Sequence, residues 1–307
     1  MSPSSPNTPK LPKIDRRQWF AGAAAGSMAA LAPVQLGWAA ETAPSKPPIC
    51  AFIKFVQSLS YDDLAEQIAA IGFDGIESTV RKGGHVDPKR VDEQLPKLVE
   101  ALSKTGIDVT IMTTGVVGVD GQHSERVLRT AAGLGITKYR MGYYKYDLKK
   151  DVIQQLDEIR PRLKELAALN RELGMTAVYQ NHSGGSIVGA PIWDLRYLLE
   201  GIDPQDVGIA FDIRHAAVEG GLSWPVQYNM MKPYLGAVYV KDFDWKGAKA
   251  AHVALGKGRV DPKFFKMHQA SGIECPYSLH VEYLGHAGAK ENMQALAKDF
   301  QQLKKWL

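Results

Sequence analysis

From Ile49 onward the chain alternates between short apolar runs of period two and longer segments of period three to four. The short runs predict strands over 50–55, 73–77, 108–113, 137–141, 176–181, 207–212, 236–241 and 277–282. Helical periodicity falls between them at 61–71, 89–105, 123–134, 151–173, 191–200, 224–232 and 261–271, with a last segment at 289–306. Ser60-Tyr61-Asp62-Asp63 reads as a capped helix start, and Asp261-Pro262 as an N-cap with proline at the first helical position. Gly72, Gly106, Gly135 and Gly174 stand where a helix must stop before the next strand. Repeated βα units imply a parallel sheet, and eight of them imply closure. The expected fold class is α/β: a single (β/α)8 barrel over residues 49–307, with a doubly wound open sheet as its competitor.

The segment ahead of the first strand differs in kind. Residues 1–13 are rich in Ser, Pro and Lys. Arg16-Arg17 then precede an Ala/Gly-rich apolar run, and Gly37-Trp38-Ala39 supplies a small-x-small cleavage pattern before Ala40. Residues 1–40 read as a twin-arginine export signal, although Asp15 and Trp19 depart from its usual residues. Residues 41–48 are a polar, Pro-rich linker. Periplasmic delivery is therefore expected, with a membrane involved only through that signal.

This changes the charge argument. Of the formal net charge of +4, Lys10, Lys13, Arg16 and Arg17 against Asp15 account for +3. About +1 remains after removal of the segment, which leaves no basic field for nucleic acid. The two cysteines, Cys50 and Cys275, stand near the starts of the first and last strands. Those strands are neighbours in a closed barrel, so a disulfide stapling it shut is one expectation and two buried thiols the other.

Four C-terminal runs end in polar groups at alternating positions: Gln180 and His182, Asp212, Tyr239 and Lys241, His280 and Glu282. Alternation puts each set on one face of its strand. Tyr179, Val240 and Val281 then point outward to the helix layer. With Glu77 after the second strand and His215 one turn past Asp212, these groups converge on the C-terminal mouth, where barrels of this architecture carry their sites. Three carboxylates in a partly dry mouth cannot all ionise without compensation. A divalent metal would supply it, and so would Lys241 with protonated histidines. Trp224 or Trp245 is a candidate to stack on a sugar ring.

Several stretches carry the likeness to a known family: Gly72-Phe73-Asp74-Gly75-Ile76-Glu77, Gln180-Asn181-His182, Gly208-Ile209-Ala210-Phe211-Asp212 with His215, Val240-Lys241-Asp242, Leu255-Gly256-Lys257-Gly258-Arg259-Val260-Asp261 and Val281-Glu282. From about residue 49 onward the chain resembles the xylose isomerase-like TIM barrels, which include sugar-phosphate isomerases and epimerases and the related endonuclease IV-type fold. The resemblance implies a small carbohydrate substrate and one divalent metal (Mn, Zn, Co or Mg), held in such families by a Glu, an Asp, a His and a Glu. Asp212 and Glu282 match that pattern, whereas Gln180 stands at the first Glu position and Tyr239 at the His position. Asp212, Glu282 and Gln180 are thus the expected metal ligands. Glu282, Lys241 and His182 are the expected catalytic groups, and His215, His280, Glu77 and Tyr239 the expected substrate contacts.

Gln180 cannot act as a base, so a symmetric two-Glu epimerase does not follow. The leading expectation is a sugar or polyol isomerase/epimerase that abstracts a proton beside a carbonyl. A lyase or hydratase on an oxidised sugar would use the same base. A carbohydrate-binding barrel that lost catalysis is the non-enzymatic alternative. Cleavage of damaged DNA is disfavoured by the near-zero charge. The oligomeric state is left open.

Overall fold

The computed structural model describes residues 46–307 apart from His286; the expected export signal and the first residues of the linker lie outside the described residues. Eight strands close into a parallel barrel: β1 (Ile49–Phe52), β2 (Gly75–Val80), β3 (Asp108–Thr114), β4 (Lys138–Arg140), β5 (Thr176–Gln180), β6 (Val207–Asp212), β7 (Leu235–Val240) and, after a hairpin of β8 (Asp242–Lys246) and β9 (Lys249–Val253), β10 (Tyr277–Leu279). They run around the barrel in chain order, with β10 pairing back to β1. Closure excludes the open doubly wound sheet.

The connecting helices are α1 (Tyr61–Ile71), α2 (Val91–Ser103), α3 (Ser124–Gly133), α4 (Val152–Leu173), α5 (Trp193–Leu199), α6 (Ile213–Gly220), α7 (Trp224–Met231), α8 (Lys263–Ala270) and α9 (Ala289–Trp306). Ser60 caps α1 by accepting from the Asp63 amide, and Gly72 ends it in the left-handed conformation that side chains resist. Pro262 occupies the cap of α8 and Asp261 accepts from the Lys263 amide at 2.9 Å, one residue later than the expected start.

Cys50, Ile111, Val178, Ala210 and Ala237 fill the barrel interior with Tyr239 above them, while Tyr179, Val240 and Val281 pack outward under the helices. The inward parity expected from the sequence therefore holds on every strand that feeds the mouth.

Two elements differ from expectation. The segment after β7 is an antiparallel hairpin rather than a plain loop. Asp242 organises it: its carboxylate accepts from the amides of Phe243, Gly256, Gly258 and Val260 at 2.8–3.0 Å. A Cβ on Gly258 would stand 2.2 Å from the Phe243 carbonyl, so only glycine fits that approach. The residues after Asp212 form α6, started by the Asp212 side chain, which accepts from the His215 amide at 3.1 Å.

The disulfide expectation is also corrected. Both cysteines are free and buried. Cys50 points into the barrel interior, whereas Cys275 belongs to the outer layer, 3.8 Å from His268 Nε2. The barrel wall lies between the two side chains, and burial pushes both thiols upward.

Candidate active site

The mouth holds a cavity of about 140 Å³ floored by Gln180, Lys241 and Glu282. Lys241 is the centre of the charge arrangement. Its Nζ lies 3.1 Å from Asp212 Oδ2 and 3.3 Å from Glu282 Oε2. Burial opposes the ammonium, but the two carboxylates outweigh it and hold Lys241 above its usual range. Glu282 also meets Lys54 at 3.7 Å and His252 of β9 at 3.6 Å. Burial raises its proton affinity, and the surrounding positive charge, Lys241 foremost, brings it well below the ordinary carboxylate range. Glu282 is thus a fixed anion and a weak base.

The imidazoles behave differently. His182 Nδ1 donates to the Ser183 carbonyl at 2.9 Å, which leaves Nε2 with the lone pair on a residue that lines the cavity. Burial, reinforced by Lys241, lowers its pKa, so the ring is neutral at pH 7. His215 lies behind it, ring centroids 3.9 Å apart. Its Nδ1 accepts from Arg214 at 2.9 Å and from the Ser183 amide at 3.1 Å, so its proton sits on Nε2, 3.6 Å from Asp212. His215 supports His182 and Asp212 from behind and does not reach the cavity.

Glu77 forms a second hub, fully buried beneath the floor. It accepts from the Tyr239 hydroxyl at 2.7 Å, the Ser278 hydroxyl at 2.5 Å, His280 Nε2 at 2.9 Å and the Thr113 hydroxyl. Burial is opposed by His280 and Arg140, which leave Glu77 ionised well below its ordinary range. His280 Nδ1 is left without a partner among the described residues, on a ring that lines the cavity. The expected substrate contacts therefore divide. His280 reaches the cavity; Glu77 and Tyr239 are consumed by each other, and His215 is screened by His182.

The sequence reading missed several cavity residues. Arg140, the inward residue ending β4, donates to Gln180 Oε1 at 3.0 Å and lies 3.7 Å from Glu77. Tyr143 also donates to Gln180 Oε1. Phe52, Lys54 and Arg81 complete the wall. Their signal was the same strand-end position that marked Asp212, on strands one, two and four. Trp224 packs on Phe264 and Trp245 lies on the hairpin beside Phe243; neither lines the cavity.

These residues do not fit a divalent ion. An ammonium already stands between Asp212 and Glu282. Gln180 turns its NH2 to Asp212 at 2.6 Å, while its carbonyl oxygen is taken by Arg140 and Tyr143. Tyr239 is committed to Glu77. Among the described residues no three acids, imidazoles or thiols gather into a metal-ligating cluster. The expected ligand set of Asp212, Glu282 and Gln180 is thus assembled around a lysine.

Eight parallel strands, an outer helix layer and a charged mouth at the strand C-termini define a (β/α)8 barrel of the kind that carries its site at that face. A family model described as "Xylose isomerase-like TIM barrel" matches residues 65–304, and the chain belongs to that family. Similar solved structures include a xylose isomerase domain protein from Planctomyces limnophilus (13% identity, TM-score 0.66, 86% of this chain and 98% of that one). The probable 3-DHS dehydratase AsbF from Bacillus anthracis is 15% identical, with a TM-score of 0.65 over 82% of this chain and 98% of that one. The 3-keto-D-glucoside 4-epimerase YcjR from E. coli is 17% identical, with a TM-score of 0.63 over 83% and 100%. At these identities the likeness is one of fold. No curated protein matches the chain.

Proposed function

We propose that the protein is an enzyme of the sugar isomerase/epimerase type that moves a proton at the carbon beside a carbonyl, using Lys241 as a built-in cation. One observation carries this reading: a buried ammonium fixed by Asp212 and Glu282 shares a small cavity with His182, whose Nε2 holds a free lone pair. His182 Nε2 takes the proton from carbon, the C–H pair becomes a C=C bond, and the carbonyl π electrons move onto oxygen. Lys241, with Arg140, faces the negative oxygen. His182 returns the proton to the former carbonyl carbon, and the hydroxyl proton of the first carbon passes to the former carbonyl oxygen as the C=O forms there, which completes an isomerisation.

A second reading is favoured by the asymmetry of the site. Glu282 is held as an anion and Gln180 is an amide, so among the described residues no paired carboxylate base stands opposite His182. The same carbanion then forms a C=C bond to the β carbon as its hydroxyl leaves, taking back the proton held by His182 to depart as water, a dehydration of the class named for AsbF. Periplasmic delivery through residues 1–40 is part of the same proposal, checked by the N-terminal mass of the exported protein.

The test is deuterium uptake from heavy water into a panel of ketoses and oxidised sugars, with and without chelator. Exchange that survives chelation supports the lysine-centred site, and an unsaturated product selects the lyase. Absence of exchange on every panel member overturns the enzymatic reading. Exchange that chelator abolishes and added metal restores overturns the role of Lys241.

A further inference from the structure

The charges around the cavity do not balance. Lys241 is answered by Asp212 and Glu282, Arg140 by Glu77, and Lys54 shares Glu282 at 3.7 Å. Arg81 lines the same cavity, half-buried, and has no carboxylate partner among the described residues. Among the described residues, these four cations are thus answered by three carboxylates. Arg81 also lines a second hollow of about 200 Å³ on the side of Val116 and His123. Burial and the neighbouring Arg140 both weaken its charged form, although a guanidinium stays protonated.

Position adds an independent argument. Lys54 lies two residues past β1 and Arg81 immediately follows β2, and these strands are hydrogen-bonded neighbours. Around the ring they stand opposite β5 and β6, beyond whose ends His182 and His215 lie. A ligand reaching from His182 across the cavity meets these two cations at its far end.

We propose that Arg81 and Lys54 form an oxyanion subsite, and that the substrate is a small sugar carrying a carboxylate or a phosphate ester. The proposal rests on the reading of the cavity as a carbohydrate site. An incoming oxyanion supplies the partner that Arg81 lacks and accepts charge-assisted hydrogen bonds from a fork suited to both groups.

The test is calorimetric titration of the full protein with D-glucuronate, D-glucose 6-phosphate and D-glucose. At least one charged sugar binds about tenfold or more tighter than glucose, the scale of a charge-assisted contact. Which one binds separates carboxylate from phosphate. High salt narrows the gap in the unmodified protein, Arg81→Gln closes it, and Arg81→Lys keeps part of it. Equal affinities, no binding of either charged sugar, or a gap that survives both salt and Arg81→Gln overturns the subsite. Proton exchange into neutral ketoses by a protein indifferent to charge overturns the subsite and leaves the proposed function standing. Tight charged-sugar binding with no exchange on any substrate does the reverse.

Discussion

Strands β5, β6, β7 and β10 bring Gln180, Asp212, Lys241 and Glu282 to one side of the mouth, where both carboxylates find the same ammonium within 3.3 Å. Strands β1, β2 and β4 bring Lys54, Arg81 and Arg140 to the other side, where, among the described residues, the direct carboxylate contacts are two ion pairs of 3.7 Å and Arg81 has none. The first side is closed on itself and fixes its charges before any ligand arrives. The second keeps positive charge in reserve. Preorganised charge suits a group that forms only during reaction, whereas reserve charge suits a group the ligand brings with it.

Removing the keystone of the closed side should have the largest effect. Lys241→Ala leaves Asp212 and Glu282 buried against each other's charge, with an expected loss of about 3–5 kcal/mol in urea unfolding. Deuterium exchange should fall below about a hundredth of its original rate, the scale of losing one preorganised donor. A loss under about 1 kcal/mol would mean that the three groups do not form one buried unit.

Next is His182→Asn, which should cut exchange by about 10²–10⁴ while changing stability far less. In the unmodified enzyme the His182 pKa lies below the ordinary 6.5, because burial and Lys241 disfavour its charged form. The base therefore stays deprotonated as pH falls through 6.5, and the acid limb of the pH–rate profile should lie below that value. A limb at or above 6.5 would remove His182 from the role.

The closed side was also the more legible in the sequence, for a physical reason. Acids, imidazoles and an amine at alternating positions after apolar runs are rare, and strand parity alone places Gln180, Asp212, Lys241, His280 and Glu282 inward. Parity does not say how deep a residue sits. Glu77 and Tyr239 point inward as expected yet bond each other beneath the floor. The cations of the other side carry a weaker signal, because Arg140 ends a three-residue strand and Lys54 and Arg81 lie just past theirs. The hairpin and α6 escaped because both depend on single carboxylates, Asp242 and Asp212, bonding backbone amides. Apolar periodicity does not record such contacts.

A smaller effect should come from the hub beneath the floor. Glu77→Gln turns an amide NH2 toward a ring of donors, and leaving one of them unsatisfied costs about 1–3 kcal/mol. The Glu77 pKa is lowered on folding, so its stabilisation is fully present above the unfolded value near 4.5 and is lost as pH falls through the lower folded value. Urea midpoints measured downward from pH 5 should therefore drop less steeply for Glu77→Gln than for the unmodified protein.

Lys54→Ala should change stability least. Its side chain is 42% exposed and its pairing with Glu282 spans 3.7 Å, so solvent screens it and the loss should stay under about 1 kcal/mol. Added salt should erase even that difference, because an exposed pair is screened while the buried Lys241 contacts are not. The two lysines share one carboxylate, Glu282, and differ in which side of the mouth they come from. A Lys54→Ala loss as large and as salt-resistant as that of Lys241→Ala would erase the distinction between a closed side and an open one.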